Sequence, residues 1–392
     1  NIVNANALTT DWETVVDKDK LSYIIGNPPF LGARIMSKAQ KADLLDVFDG
    51  YKGAGNLDFV SGWYIKSAQL MQGTEIQTAL VSTNSITQGE QASLLWKILI
   101  QDFSVSINFA YKTFKWNSEA KDKAAVHCVI IGFGSEEKAD KYLFETDDQV
   151  KKVNHINGYL SEASDVFIEN RTKPICDVPT MGIGNKPIDG GFYLFEKDEM
   201  EDFIKREPLS QSYFREWYGA KEFINRQPRY CLWLGEASPA QLRAMPLALK
   251  RVEAVRDYRL ASPSAGTRKI AEKPTRFHVE NMPDTDFLLI PSVSSERRRY
   301  IPIGFMTPDV IGSNLVLIVP DASLYHFGIL TANVHMAWMR TVAGRLEMRY
   351  RYSAKIVYNN FPWPEVTKEQ KEKISQTAQA ILDARALYPD SS

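Results

Sequence analysis

Hydrophobic positions in the first 150 residues switch repeatedly between short apolar runs and helical spacing. Residues 21–26 end in Tyr23-Ile24-Ile25-Gly26 and predict a buried strand. Residues 57–72 keep their apolar side chains on one helical face, and Gly73 closes that helix. A second strand is expected at 77–82, a helix at 91–102 and a third strand at 105–111. The continuous apolar run 125–133 predicts a buried fourth strand, and 141–144 a further edge. This alternation is the grammar of a doubly wound α/β sheet. Between the last two strands, 125–133 and 141–144, there is no room for a full helix. They are expected to pair antiparallel at one edge.

After Pro174 the pattern changes. Residues 181–191 are rich in Gly, Pro, Asn and Asp and read as a linker or ordered loop. Short strands are expected at 229–234, 287–291 and 316–319, and helices at 198–206, 239–257 and 324–342. Pro362-Trp363-Pro364 stops the chain, and 368–386 follows as a charged amphipathic helix. Three divisions result: 1–174, 175–364 and 365–392. No internal repeat or low-complexity tract interrupts them.

Composition narrows the class. The chain has 392 residues, 44% hydrophobic and 24% charged, as in ordinary globular proteins. No apolar run approaches the ~20 residues of a membrane span, so no membrane partner is expected. Cys128, Cys176 and Cys231 lie far apart without metal-ligand spacing, which fits a reducing, cytoplasmic setting. None of the five histidines has a ligand-like neighbour, and no metal site is expected. The net charge of −1 conceals an asymmetry. Residues 136–170 hold nine acids against four lysines, while 215–276 hold thirteen Lys or Arg against six acids. A neutral chain with a basic middle suits one face that meets phosphate; a solvated surface with chance clustering is the plain alternative. The chain opens on Asn1-Ile2-Val3-Asn4 without an initiator Met, as expected of a piece of something longer.

The most informative residues follow the first strand: Asn27-Pro28-Pro29-Phe30. A strand in an open α/β sheet hands the chain to the ligand crevice at this point. Two prolines fix φ and remove two backbone donors, leaving the turn's carbonyls free to accept. The Asn27 side-chain oxygen is another acceptor, and Phe30 offers a flat apolar face. Such a device grips a planar amino group. Two acceptors on the hydrogens of an exocyclic amine favour a pyramidal nitrogen with its lone pair aimed at a methyl sulfonium. The plain alternative is a Pro-Pro turn with Asn27 as a turn residue.

Together these features resemble the C-terminal part of the γ-type N6-adenine DNA methyltransferases, and most of all the MmeI-like, type IIL restriction–modification group. The resemblance spans nearly the whole length. Asn27-Pro28-Pro29-Phe30 resembles the family's catalytic motif IV. Asn6-Ala7-Leu8 resembles motif III, which implies that Asn6 and Leu8, with Asn27, help seat S-adenosylmethionine; Asp is commoner than Asn at that place. Asn56-Leu57-Asp58-Phe59 resembles motif V, and Ala79-Leu80-Val81-Ser82-Thr83-Asn84 motif VI. Phe114-Lys115-Trp116 resembles motif VIII, whose aromatic ring stacks on a flipped-out base. Phe30 and Phe114 are the expected faces of that sandwich, with Trp116 as the alternative to Phe114. A core aromatic at a strand end is the plain reading of Phe114, against which stand the polar neighbours Lys112, Lys115 and Asn117.

The Gly-rich motif I and the acid that holds the ribose do not appear before Asn6. The resemblance therefore implies a missing N-terminal cofactor-binding segment of the same protein, and a nuclease domain further upstream. It also implies a target recognition domain on double-stranded DNA in the later region. Its candidate contacts are Arg268 and Lys269, then Arg297, Arg298 and Arg299, then Arg345, most of them gripping phosphate. A surface salt bridge is the plain alternative for each.

The expected architecture is a partial Rossmann-like methyltransferase sheet, then a mixed α/β recognition domain and a C-terminal helix. The expected reaction is methylation of adenine N6 in a specific duplex sequence. Two other readings stand beside it: methylation of another planar amide, as by protein glutamine methyltransferases, and a DNA-binding fragment inactive alone.

Overall fold

The structure is a computed structural model and describes residues 2–116, 126–146 and 148–388. The chain forms two compact units. The first comprises residues 1–171 with 340–350, the second 172–339 with 351–392.

The first unit is built on a six-stranded mixed sheet. Its strands are β1 (Tyr23–Gly26), β2 (Gln77–Thr83), β3 (Ser106–Lys115), β4 (His127–Gly134), β5 (Lys141–Thr146) and β6 (Gln149–Val153). Their order across the sheet is β1-β2-β4-β3-β5-β6. β1 and β2 are parallel, β4 runs antiparallel to both of its neighbours, and β5 is parallel to β3. The expected antiparallel edge pair of β4 with β5 is not formed: β4 pairs with β2 and β3, and β5 with β3 and β6. β4 inserts between β2 and β3, and β5 lies inside β6 rather than at the rim. Local apolar runs do not carry this information, because sheet order depends on pairings distant in sequence.

Three helices accompany the sheet: α1 (Lys38–Val47), α2 (Ser61–Met71) and α3 (Gly89–Gln101). In α2 the buried side chains Tyr64, Ile65, Ala68 and Met71 repeat at helical spacing, and in α3 Ala92, Leu95, Trp96 and Leu99 do the same. Both stripes pack on one sheet face. Tyr64 stacks on Phe133 of β4 with ring centroids 5.2 Å apart, and Trp96 meets the same ring edge-on. Trp96 Nε1 donates to the Ile86 carbonyl at 3.0 Å, so its burial leaves no orphan donor. Gly62 on α2 admits the Leu8 side chain; a Cβ there would lie 2.8 Å from Leu8 Cδ2. The apolar pattern does not mark α1, because that helix buries only Leu44. Its signal is the capping box in which the Ser37 hydroxyl accepts from the Gln40 amide.

The opposite sheet face has a different character. The strand registers place Tyr23 and Ile25 with Val81, Ile130, Tyr111, Phe144 and Val150 on that side. Ile25 is 81% exposed and Tyr23 68%.

The second unit holds two four-stranded sheets. One is ordered Ile311–Gly312, Phe214–Tyr218, Arg229–Leu232, Leu194–Phe195; the other Gly304–Met306, Phe287–Pro291, Val316–Pro320, Gly182–Ile183. Its main core is aromatic, with Phe195, Phe203, Trp217, Trp233 and Phe277 buried together. The helix expected at 239–257 is two, Pro239–Arg243 and Pro246–Leu260, because Pro246 starts a new first turn. The one expected at 324–342 breaks at Ala332, whose extended ψ of 153° separates Leu324–Thr331 from Asn333–Val342. The loop after Met181 is ordered around Asn185, fully buried, which donates to the carbonyls of Asn281 and Gly312. The final helix, Lys368–Ala386, has the expected bounds and closes on Leu324–Thr331, where Gly328 leaves room for Ile374 and Ala378.

Candidate functional site at the carboxyl edge of the first sheet

Strand direction brings the sequence motifs to one rim. β1 and β2 both end there, and so does β3, while β4 begins there. Thr83 of β2 lies opposite Cys128 of β4, which lies opposite Phe114 of β3. Gly26 pairs with Leu80, so the Asn27–Phe30 turn leaves β1 three residues below the level of Thr83. Asn27 is exposed, Pro28 buried, Pro29 exposed and Phe30 half-buried. Three inter-strand steps put the backbones of β1 and β3 roughly 14 Å apart.

Phe114 is half-buried and sits past a bulge in β3, where the register with β4 shifts between Tyr111 and Phe114. Bulges re-aim side chains at strand ends. Its ring lies 6.1 Å from Tyr111 and 6.2 Å from Trp116, which is 40% exposed. A recess of about 420 Å³ borders it, lined also by Lys112, Lys115 and Glu145. Lys112 pairs with Glu145. Asn117 lies outside the described residues. Burial pushes the Cys128 thiol up to about 11, so it is protonated at neutral pH and is no nucleophile.

Asp58, which the sequence places in the stretch resembling motif V without giving it a role, lies at this rim. It is 5% exposed and joins the elements of the rim. Thr83 Oγ1 donates to its Oδ2 at 2.5 Å, and the Ser85 and Gln91 side chains hydrogen-bond it too. Gln91 Oε1 in turn accepts from the Asp58 amide at 2.9 Å. The next residue, Phe59, donates its amide to the Leu31 carbonyl just after the Asn27–Phe30 turn. Burial raises the Asp58 pKa, and the three hydrogen bonds oppose that rise. The signal in the sequence is an acid inside the apolar run Leu57-Asp58-Phe59-Val60. Asn84, the next residue after Thr83, is 7% exposed, and its Nδ2 has no hydrogen-bond partner among the described residues.

The residues of motif III are placed differently. Leu8 is core, packed on Gly62. Asn6 is exposed, but its amide is engaged: Oδ1 accepts from the Leu8 amide at 3.1 Å and Nδ2 donates to Asp43 at 2.8 Å. The rim therefore offers a ligand one buried carboxylate, one orphaned amide donor and the exposed Asn27 acceptor. This donor set suits a group that carries positive charge and hydrogen-bond acceptors, as S-adenosylmethionine does.

The basic candidates are spread over both units. Arg268 and Lys269 are exposed, and Arg268 Nη1 donates to the carbonyls of Ser262 and Pro263 in its own loop. Arg297 is 92% exposed. The Arg299 guanidinium lies over Tyr300 at 5.5 Å. Arg298 and Arg299 line a cavity of about 1150 Å³ with Arg226 and Arg385. Arg345 belongs to the first unit, stacks over Tyr350 at 4.2 Å and donates to the Met348 carbonyl. Arg259, inside the same basic stretch as Arg268, is fully buried and takes no part in any surface.

A mixed sheet whose strand ends meet an Asn-Pro-Pro-Phe turn, followed by a separate mixed α/β unit, is the framework of a Rossmann-like methyltransferase with a recognition domain. Comparison with known proteins gives the family. The chain belongs to the MmeI family: residues 1–145 match its DNA-methyltransferase domain and 162–365 its target recognition domain. It is 48% identical to the Type IIL restriction-modification enzyme MmeI, solved in complex with DNA. That match covers all of this chain and 53% of the MmeI chain, with a TM-score of 0.94. It is 42% identical over 384 residues to DNA methyltransferase A of Bacillus subtilis (strain 168), covering 97% of this chain and 44% of that protein. The chain thus spans about half the length of these relatives. No helix among the described residues is long and apolar enough to cross a membrane. Nor do those residues contain a group of three or more His, Cys, Asp or Glu side chains able to hold a metal.

Proposed function

We propose that the protein is a sequence-specific DNA methyltransferase that acts on adenine N6 with S-adenosylmethionine, as part of a longer restriction–modification protein working in the cytoplasm. The observation that carries this reading is the exposed Asn27 on the Asn-Pro-Pro-Phe turn, on the same sheet edge as Phe114 and the Asp58 cluster. The target recognition match over 162–365 favours DNA over a peptide substrate.

The chemistry divides simply. S-adenosylmethionine supplies the methyl group and a sulfur that leaves as a neutral thioether. The protein presents the amine. Asn27 Oδ1 and the Pro28 carbonyl accept the two N6 hydrogens, which turns the nitrogen lone pair out of the ring. Phe30 and Phe114 hold the two faces of the flipped base, offsetting roughly 1–3 kcal/mol of lost stacking per contact. No general base is needed, because the proton becomes acidic once nitrogen carries the new charge and then passes to solvent. Arg268, Lys269, Arg297, Arg298, Arg299 and Arg345 contribute contacts to the duplex, chiefly to phosphate. A segment upstream of Asn1 completes the cofactor site. The bare sheet face around Ile25 and Tyr23 supports this, as an apolar surface that a further layer would cover.

The test is Asn27→Ala in the full-length protein. Methyl transfer to duplex DNA is expected to fall roughly 10²–10³-fold, the usual cost of removing one positioned polar contact to the reacting group. DNA affinity should stay unchanged. Methylation that survives the substitution refutes the mechanism.

A further inference from the structure

Three carboxylates are buried among the described residues: Asp58, Asp189 and Glu207. Two of them have an evident positive partner. Glu207 accepts from the Leu247 and Ala248 amides at the N-terminus of helix Pro246–Leu260, at 2.6 and 2.9 Å. Asp189 lies within Coulomb range of the Arg259 guanidinium and accepts from the Tyr193 amide. Asp58 has neither. Its donors are Thr83, Ser85 and Gln91, all neutral, and no Lys, Arg or His among the described residues forms an ion pair with it.

An ionised carboxylate held without a cation in a buried place is costly, and a neutral Asn would satisfy the same hydroxyl at lower cost. The position of this charge is specific. Oδ1 lies against Gly32, where a Cβ would sit 3.5 Å away, two residues after Phe30. Oδ2 is tied to Thr83 at the end of β2, and the following amide is bonded to Leu31. The carboxyl group is therefore fixed beneath the turn that would present the amine. Asn84 adds an unpartnered amide donor at the same strand end.

We propose that Asp58 is the counter-charge for the sulfonium of the methyl donor, so that the site distinguishes the charged cofactor from its neutral thioether product. This rests on the methyltransferase reading above. The cofactor and product share every group except the methyl and the sulfur's charge, including the amino-acid ammonium. A residue that senses the sulfonium must discriminate between the two; one that holds the rim together, or meets the ammonium, must not.

The experiment is calorimetric binding of S-adenosylmethionine and S-adenosylhomocysteine to the full-length protein, wild type and Asp58→Asn. In the variant, affinity for S-adenosylmethionine should fall at least about tenfold, while affinity for S-adenosylhomocysteine changes less than about twofold. Thr83→Val keeps the charge and removes one neutral donor, so the ratio of the two affinities should stay within about twofold of wild type. Equal losses for both ligands in Asp58→Asn overturn the proposal, and so does no loss for either. If Asp58→Asn does not fold, the wild-type ratio decides: S-adenosylmethionine bound at least about tenfold more tightly than S-adenosylhomocysteine upholds the proposal, and a smaller preference overturns it. Wild-type protein that binds neither ligand refutes the methyltransferase reading, and this inference with it.

Discussion

Arg259 is the residue whose replacement has the most directly calculable effect. All five of its N–H donors point at backbone carbonyls. Nε donates to Ile188 at 2.9 Å, Nη1 to Ile270 and Lys273 at 2.9 and 3.1 Å, and Nη2 to Pro187 and Arg276, both at 2.8 Å. The side chain is fully buried, and burial lowers its pKa while Tyr193 and Asp189 support the charge. It ties the loop before Tyr193 to the segment that follows the exposed Arg268–Lys269 pair. Arg259→Lys keeps the charge but has three donors for five acceptors, so at least two carbonyls lose their partner. At about 1–2 kcal/mol for each carbonyl left unpaired, the loss is about 2–4 kcal/mol. Arg259→Met orphans all five and should cost about 5 kcal/mol, the low end of the same per-carbonyl count and the top of the range of about 3–5 kcal/mol for removing one member of a buried charged network. Urea unfolding followed by the fluorescence of Trp217 and Trp233, buried in the same unit, reads both losses. DNA affinity should fall in the same order, because the loop carrying Arg268 loses its anchor. A Lys variant within about 0.5 kcal/mol of wild type would show that the five bonds are not what holds this region, and would refute the reasoning.

Two further outcomes are expected. Phe114→Ala should weaken extrusion of the target base by roughly 1–3 kcal/mol, read as reduced 2-aminopurine fluorescence at the target position, with Phe114→Tyr near wild type; equal signals from the two variants would remove Phe114 from the site. His335 is buried against Phe361 and bonded to the Tyr352 hydroxyl at 2.7 Å, and burial lowers its pKa to about 3. Its folded pKa is below the unfolded value near 6.5, so its contribution to stability is complete above pH 6.5 and is lost as pH falls toward 3. At about pH 4.5 the loss is about 3 kcal/mol, and the acid-side slope of melting temperature should flatten in His335→Gln. An unchanged slope would mean that the group is not desolvated as the structure has it.

What the sequence reveals is whatever is coded locally. The Asn27–Phe30 turn and the strands before and after it follow from short-range pattern, and so does the terminal helix, with its Thr367 cap and nineteen-residue length. Pairing order cannot be read that way. An apolar run such as that in β4 says that a strand is buried, and nothing about which neighbours bury it. β6 escapes notice because Val153 is its one buried residue, so no alternation marks it. Asp58 and Arg259 show the same limit for chemistry. Each is an ionisable side chain that composition assigns to the surface, and each is buried because partners far along the chain receive it. Arg259 sits inside a stretch that reads as a phosphate-binding loop, yet it turns inward while Arg268 and Lys269 reach solvent.

The measurement that bears most directly on the account is the identity of the methylated nucleoside. The full-length protein would be incubated with tritiated S-adenosylmethionine and mixed-sequence duplex DNA, and the DNA then hydrolysed and its nucleosides separated. The account predicts label in N6-methyladenine and nowhere else. Label in cytosine, label in protein, or unlabelled DNA would contradict it.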